Sequence, residues 1–150
     1  MVHAACLRPP RTSSSSSAKC GRIDVVVGVV ERTDGCVLIA KRHGDQHLAG
    51  LWEFPGGKVD LGEGLQAALR RELQEEVGLR LSEPKFLFRI DHDYPEKSVS
   101  LHIFSVVNFT GAAQGLEGQA VAWVSKTKLS EYSFPEANQP ILDYLQDGCG

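Results

Sequence analysis

The alternation of apolar and polar positions predicts a series of strands along the chain. Residues 23–30 are β-branched and almost continuously apolar, which is typical of a strand buried on both faces. A turn at 33–35 separates them from a second apolar run at 36–42, so we expect these two strands to form a hairpin. Further strands are predicted at 86–91, 98–108 and 120–124, with a second hairpin turning at 94–97.

A helix is predicted between the glycine pair that ends at Gly57 and the helix stop at Gly78, with a loop before it. An apolar stripe follows its length at Leu65, Ala68, Leu69, Leu73 and Val77. Beside the stripe, Glu72, Glu75 and Glu76 fall within an arc of roughly 100°. Because like charges at this spacing repel each other, the cluster would gain from a bound divalent cation.

A last helix is predicted near the C-terminus, with Asn138 near its N-cap and Pro140 in its first turn. Its apolar positions are Ile141, Leu142, Tyr144 and Leu145. Strands and helices together predict an α/β protein with a mixed sheet.

The composition fits one globular domain, because the chain has 150 residues with 42% hydrophobic and 23% charged content. We assign this domain to residues 22–147. Residues 1–21 hold a proline pair and a serine run and are predicted to form a disordered extension. Since the extension contains arginine and no acid, a transit peptide and an unrelated upstream segment both stay open.

Charge limits the partners that the domain can bind. The first 22 residues contain four of the 16 Lys and Arg residues and no acid. The rest of the chain therefore has 12 basic residues and 19 Asp and Glu residues. An acidic domain of this kind is suited to bind a small anion together with a metal ion, and it is poorly suited to bind a nucleic-acid polymer.

The four cysteines lack C-x-x-C spacing, which favours a reduced, cytoplasmic chain. The sequence contains no apolar run of about 18 residues, so no membrane span is predicted.

Residues 57–79 match the Nudix box, G-x5-E-x7-R-E-U-x-E-E-x-G-U, in which U is apolar. The matching positions are Gly57, Glu63, Arg71, Glu72, Leu73, Glu75, Glu76, Gly78 and Leu79. At typical residue frequencies, a chance match is expected on the order of 10⁻⁹ times per starting point. Outside the box, residues 51–58 (LWEFPGGK), 117–119 (EGQ) and 134–140 (FPEANQP) are similar to the MutT branch of the Nudix family. The resemblance covers residues 23 to 145.

The resemblance implies an α/β/α sandwich with a mixed central sheet and a magnesium site, in which Mn²⁺ could replace Mg²⁺. The implied ligands are the Gly56 carbonyl and the carboxylates of Glu72, Glu75, Glu76 and Glu117. Oxygen donors of this kind suit a hard cation. The implied catalytic group is Glu72, as base or water-orienting residue, with Arg71 and Glu63 holding the site in place.

The same resemblance implies a nucleotide site formed by Arg42, His47, Phe54, Tyr94, Lys97 and Asn138. The Asn138 amide would read an oxidised purine, since it offers both a donor and an acceptor to a base edge. Lys97 replaces an arginine of the family and would lose its two-pronged contact. The implied reaction is attack of water on the β-phosphorus of 8-oxo-dGTP, which yields 8-oxo-dGMP and pyrophosphate and removes a mutagenic precursor. We expect a monomer whose partner is the small nucleotide.

Two alternatives stay open. One is a Nudix hydrolase of broader specificity, acting on other nucleoside triphosphates or on nucleoside diphosphate derivatives. The other is a non-catalytic module that binds oxidised guanine, as in adenine glycosylases. Such a module would be marked by loss of the box acids, and this chain retains all of them.

Overall fold

The computed structural model describes residues 22–42 and 50–149. A mixed sheet is built around β1 (Arg22–Val30). β1 pairs in parallel with β7 (Ser98–Val106) and antiparallel with β4 (Gly56–Lys58), while β6 (Lys85–Asp93) pairs antiparallel with β7. The order is therefore β4-β1-β7-β6, and the predicted mixed sheet is confirmed.

The predicted hairpin of the first two strands is wrong. The turn exists, with Gly35 at a φ of 87°, but β1 and β2 (Cys36–Lys41) are joined only by an isolated bridge between Glu31 and Val37. Both edges of β1 are already taken by β4 and β7. β2 instead pairs with β3 (Trp52–Glu53) and β9 (Val121–Ser125) in a second sheet.

The glycine pair, which was predicted to lie in a loop, forms the short strand β4 instead. Gly57 lies opposite Val26 in the β1–β4 ladder. A Cβ on Gly56 would lie 2.9 Å from the Val26 carbonyl carbon. Only glycine permits this close approach of two backbones, so the pair fixes β4 against the central strand.

Two helices cover opposite faces of the β1 sheet. Val26 and Val30 pack with α1 (Leu65–Val77) in one buried cluster. Val27 and Val29 pack on the other face with Ile141 of α2 (Gln139–Cys149). Because successive side chains of a strand point to opposite faces, β1 is buried on both sides, as its composition predicts. This arrangement is the expected α/β/α sandwich.

The remaining elements agree with the sequence pattern in most places. The hairpin of β6 and β7 turns where predicted, since Tyr94 N–H donates to Lys97 O at 2.7 Å. β5 (Arg80–Leu81) pairs with β8 (Phe109–Thr110), a contact that the pattern does not predict. Two 3-10 helices, Lys126–Glu131 and Glu136–Asn138, precede α2.

Within the described ranges, no helix is long and apolar enough to cross a bilayer. Cys36 is a free thiol there. The predicted extension of residues 1–21 lies outside the described residues, so its disorder stays a prediction.

Candidate active site

Helix α1 presents two of its acids to the protein interior and one to solvent. It ends at Gly78, whose left-handed φ of 76° lets its N–H bond back to Gln74 O, and the predicted helix stop is confirmed. Glu76 is fully buried and Glu72 is 8% exposed, whereas the Glu75 side chain is 57% exposed. The spacing brings the three carboxylates to one side of the helix, but only Glu72 and Glu76 face β4.

Arg71 donates hydrogen bonds to three acids of this region through its planar guanidinium. It forms two hydrogen bonds to Glu63, each at 2.8 Å. A further nitrogen donates to Glu72 at 3.0 Å and to Glu75 at 3.4 Å. The guanidinium lowers the pKa of Glu63, mainly through the hydrogen bonds. The hydrogen bonds to Glu63 therefore fix the guanidinium of Arg71, which in turn fixes the carboxyl group of Glu72.

Glu72 packs directly against the backbone of β4. A Cβ on Gly57 would lie 2.6 Å from Glu72 Oε2 and still closer to the other atoms of the carboxyl group. Burial raises the pKa of Glu72 to about 7, against the opposing effect of Arg71. The glycine is thus required by the position of this carboxyl group.

Glu76 carries a buried oxygen that has no protein partner. Gly56 N–H donates to its Oε1 at 3.2 Å, while Oε2 is buried without a hydrogen bond. Burial raises the pKa of Glu76 well above its usual value, and the neighbouring Glu53 and Glu117 raise it further. An uncompensated buried carboxylate oxygen is costly, and a hard cation would satisfy it.

A cleft beside β4 contains most of the residues predicted to bind substrate. Arg42, Phe54, Tyr94, Lys97 and Asn138 all line it, together with the two glycines of β4. His47 lies outside the described residues. The cleft therefore joins the glycine pair, against which Glu72 and Glu76 rest, to the predicted base-reading amide.

Phe54 and Asn138 are buried in the wall of this cleft, and Tyr94 is partly buried there. Phe54 is 3% exposed and stacks on Phe134 with ring centroids 5.3 Å apart. Asn138 is 9% exposed and directly precedes α2, so its predicted place at the helix start is confirmed. Burial raises the pKa of Tyr94.

A family model described as the NUDIX domain matches residues 26–144. This chain belongs to the Nudix family.

Its relatives within the family include two nucleotide hydrolases of Escherichia coli K12. The chain is 33% identical to the 8-oxo-dGTP diphosphatase over 83% of its own length and 97% of the relative. It is 36% identical to the CTP pyrophosphohydrolase over 81% of its own length and 89% of the relative. A solved MutT structure from work on the Aliivibrio salmonicida and Vibrio cholerae proteins matches with a TM-score of 0.74 and 37% identity. That match covers 83% of this chain and 96% of the other.

The acids of the Nudix box do not form a complete metal-coordination site among the described residues. Among residues 22–42 and 50–149, no three Asp, Glu, His or Cys side chains are grouped closely enough to hold a metal ion. Glu72 and Glu75 are instead drawn towards Arg71. The donors still fit magnesium, because they are carboxylate and carbonyl oxygens and because Glu76 Oε2 lacks a partner.

Glu53 is a site residue that the sequence reasoning did not single out. It is 8% exposed, lines the cleft and forms an ion pair with Arg42. Burial raises its pKa against the opposing effect of Arg42. The sequence contains one indication of this role. A carboxylate between the two aromatic residues at 52 and 54 is unusual for a buried strand.

Proposed function

We propose that this Nudix protein is a Mg²⁺-dependent 8-oxo-dGTP diphosphatase. The observation that supports it most is that Asn138 and Phe54 line the same cleft as Arg42 and the glycine pair of β4. The pair in turn abuts Glu72 and donates to Glu76. Such a cleft can bind a purine at one end and a triphosphate at the other. The similarity to a named 8-oxo-dGTP diphosphatase supports the same substrate.

The metal would be held by the Gly56 carbonyl and by the carboxylates of Glu72, Glu75, Glu76 and Glu117. These residues would hold the cation, which would supply Lewis-acid chemistry that polarises phosphoryl oxygens and lowers the pKa of water. Mn²⁺ takes similar oxygen ligands and would substitute for it.

Glu72 would orient the attacking water and accept its proton. For this role its carboxylate must stay in one place, and two features of the structure favour that. Arg71 donates to Glu72 and is itself fixed by two hydrogen bonds to Glu63. On the other side, the backbone of Gly57 leaves no room for the carboxyl group to move towards β4. We therefore assign Arg71 and Glu63 as positioning residues.

The base would be recognised at the end of the cleft formed by Phe54 and Asn138. The Asn138 amide can donate and accept at a purine edge at the same time. A buried site of this kind rejects the wrong base because its polar groups would be left unpaired. We assign Tyr94 to the nucleotide as well, while Arg42, Lys97 and His47 would contact the phosphates or another part of the nucleotide.

The reaction would proceed by attack of water on the β-phosphorus, with release of 8-oxo-dGMP and pyrophosphate. We place this activity in the cytoplasm, with a monomeric enzyme that acts on free nucleotides and not on nucleic-acid polymers. The acidic balance of the domain supports that choice of substrate.

An isotope experiment tests the reaction. The protein is incubated with 8-oxo-dGTP and Mg²⁺ in ¹⁸O-labelled water. The products are separated, and the ¹⁸O content of each is measured by mass spectrometry. We expect one labelled oxygen in pyrophosphate, none in 8-oxo-dGMP, and no turnover in EDTA. Label in the monophosphate would overturn the point of attack, and release of inorganic phosphate would overturn the reaction type.

A further inference from the structure

The loop of residues 111–119, which carries Glu117, is docked on the C-terminal end of α1. The last carbonyl groups of a helix have no partner within the helix. Gln114 N–H donates to Val77 O at 3.0 Å, and Leu116 N–H donates to Glu76 O at 3.1 Å. Backbone N–H groups of the loop thus bond the last carbonyl groups of α1, including that of Glu76, whose carboxyl group is buried.

A single side chain ties Glu117 to the same point. Gln119 is 7% exposed. Its Oε1 accepts a hydrogen bond from Glu117 N–H at 2.9 Å, and its Nε2 donates to Glu76 O at 3.2 Å. One buried amide therefore joins the backbones of two acids that lie 41 positions apart in the chain.

The turn that contains these residues leaves Gln119 little freedom. Gly118 has a left-handed φ of 84°, and its N–H donates to Gly115 O at 3.0 Å. A Cβ on Gly115 would lie 2.9 Å from the Gln119 carbonyl carbon. Because the turn closes on itself so tightly, Glu117 is carried at its tip and the Gln119 side chain is directed back to the helix.

We propose that Gln119 is a positioning residue that sets the place of Glu117 relative to Glu76 for cation binding. The inference rests on the proposed function, in which both acids bind the metal. Glu117 lies outside any helix or strand, so its position depends on contacts such as this one. A neutral amide suits the task, because it accepts at one end and donates at the other. Neither a carboxylate nor an apolar side chain can do both.

The test is a double-mutant cycle read by calorimetric titration of the purified protein with Mn²⁺. Gln119→Met keeps the size of the side chain and removes both hydrogen bonds. We expect it to weaken Mn²⁺ binding about tenfold, as for other residues that orient metal ligands. In a Glu117→Gln background the same change should have no further effect. Gln114→Met is the matched control, since this exposed side chain lies in the same loop, and it should bind Mn²⁺ like the wild type.

Thermal unfolding without metal shows whether each variant is folded, and Gln119→Asn is the second variant. Its amide is one methylene shorter and cannot span both partners, so it should also weaken binding. Wild-type affinity in both Gln119 variants would overturn the inference, as would equal weakening with and without Glu117. If Glu117→Gln weakens Mn²⁺ binding while the Gln119 variants do not, only this inference fails. If the wild type neither binds Mn²⁺ nor hydrolyses 8-oxo-dGTP, the proposed function fails.

Discussion

Replacing Gly57 by alanine should slow the reaction without unfolding the protein. The three heavy atoms nearest to the added Cβ all belong to the Glu72 carboxyl group, with Oε2 at 2.6 Å. Ordinary contact begins at 3.4 Å, so Oε2 must retreat by at least 0.8 Å. The φ of Gly57 lies outside the left-handed region. The closest clash of the alanine Cβ is therefore with the end of the Glu72 side chain and not with backbone.

The size of the effect follows from the displacement. A misplacement of about 1 Å at a reacting group can cost about 100-fold in rate, or about 2.7 kcal/mol of activation free energy. Stability should change little, because a Gly→Ala change at a tolerated position often gains about 0.4–1 kcal/mol through the unfolded state. We therefore expect kcat to fall about 100-fold while the melting temperature stays within about 5 °C.

The assay is the steady-state release of pyrophosphate from 8-oxo-dGTP, together with thermal unfolding of each variant. Gly64→Ala is the matched control, since its Cβ would meet nothing within 4 Å, and its kcat should equal that of the wild type. If Gly57 acts through Glu72, adding Gly57→Ala to Glu72→Gln should cost little more. An undiminished kcat in Gly57→Ala, or a full 100-fold loss in the Glu72→Gln background, would refute the reasoning.

Three further predictions concern the buried acids and the base site. Glu76→Gln should melt at a higher temperature than the wild type in EDTA, because it replaces a buried acid that is costly to ionise and whose Oε2 has no partner. Mg²⁺ should then raise its melting temperature less than that of the wild type. The pKa of Glu72 is raised from 4.5 to about 7, so between these values the folded protein holds a proton that the unfolded chain has lost. Stability in EDTA should fall as the pH rises through that range, and less so in Glu72→Gln; denaturant titrations from pH 4.5 to 8 measure this, and equal slopes for both proteins would contradict it. Asn138→Ala should lower the kcat/KM ratio of 8-oxo-dGTP to dGTP about tenfold by removing a base contact, and an unchanged ratio would remove Asn138 from base recognition.

The sequence predicts well what depends on local spacing. Helix α1, its stop at Gly78 and the common side of Glu72 and Glu76 follow from a period of 3.6 residues. The hairpin of β6 and β7 follows from a turn between two apolar runs. The interaction of Arg71 with its neighbours could be expected because they belong to one short motif.

Long-range contacts could not be predicted in the same way. The partners of β1 lie far along the chain, so an adjacent turn wrongly suggested that β2 would pair with it. The burial of Glu53 depends on the pairing of two short strands and on Arg42. The bridge made by Gln119 depends on where a loop meets the end of a helix. None of these partners is marked by a local pattern.

The central claim is tested most directly by the kcat/KM values of the purified protein with Mg²⁺ for 8-oxo-dGTP, dGTP and CTP, measured side by side. CTP belongs in this panel because a relative of similar identity is a CTP pyrophosphohydrolase. We predict that 8-oxo-dGTP is preferred over each of the others by about 100-fold or more, as expected when a buried site pairs with the polar groups of one base. Equal or faster hydrolysis of dGTP or CTP would contradict the proposed substrate.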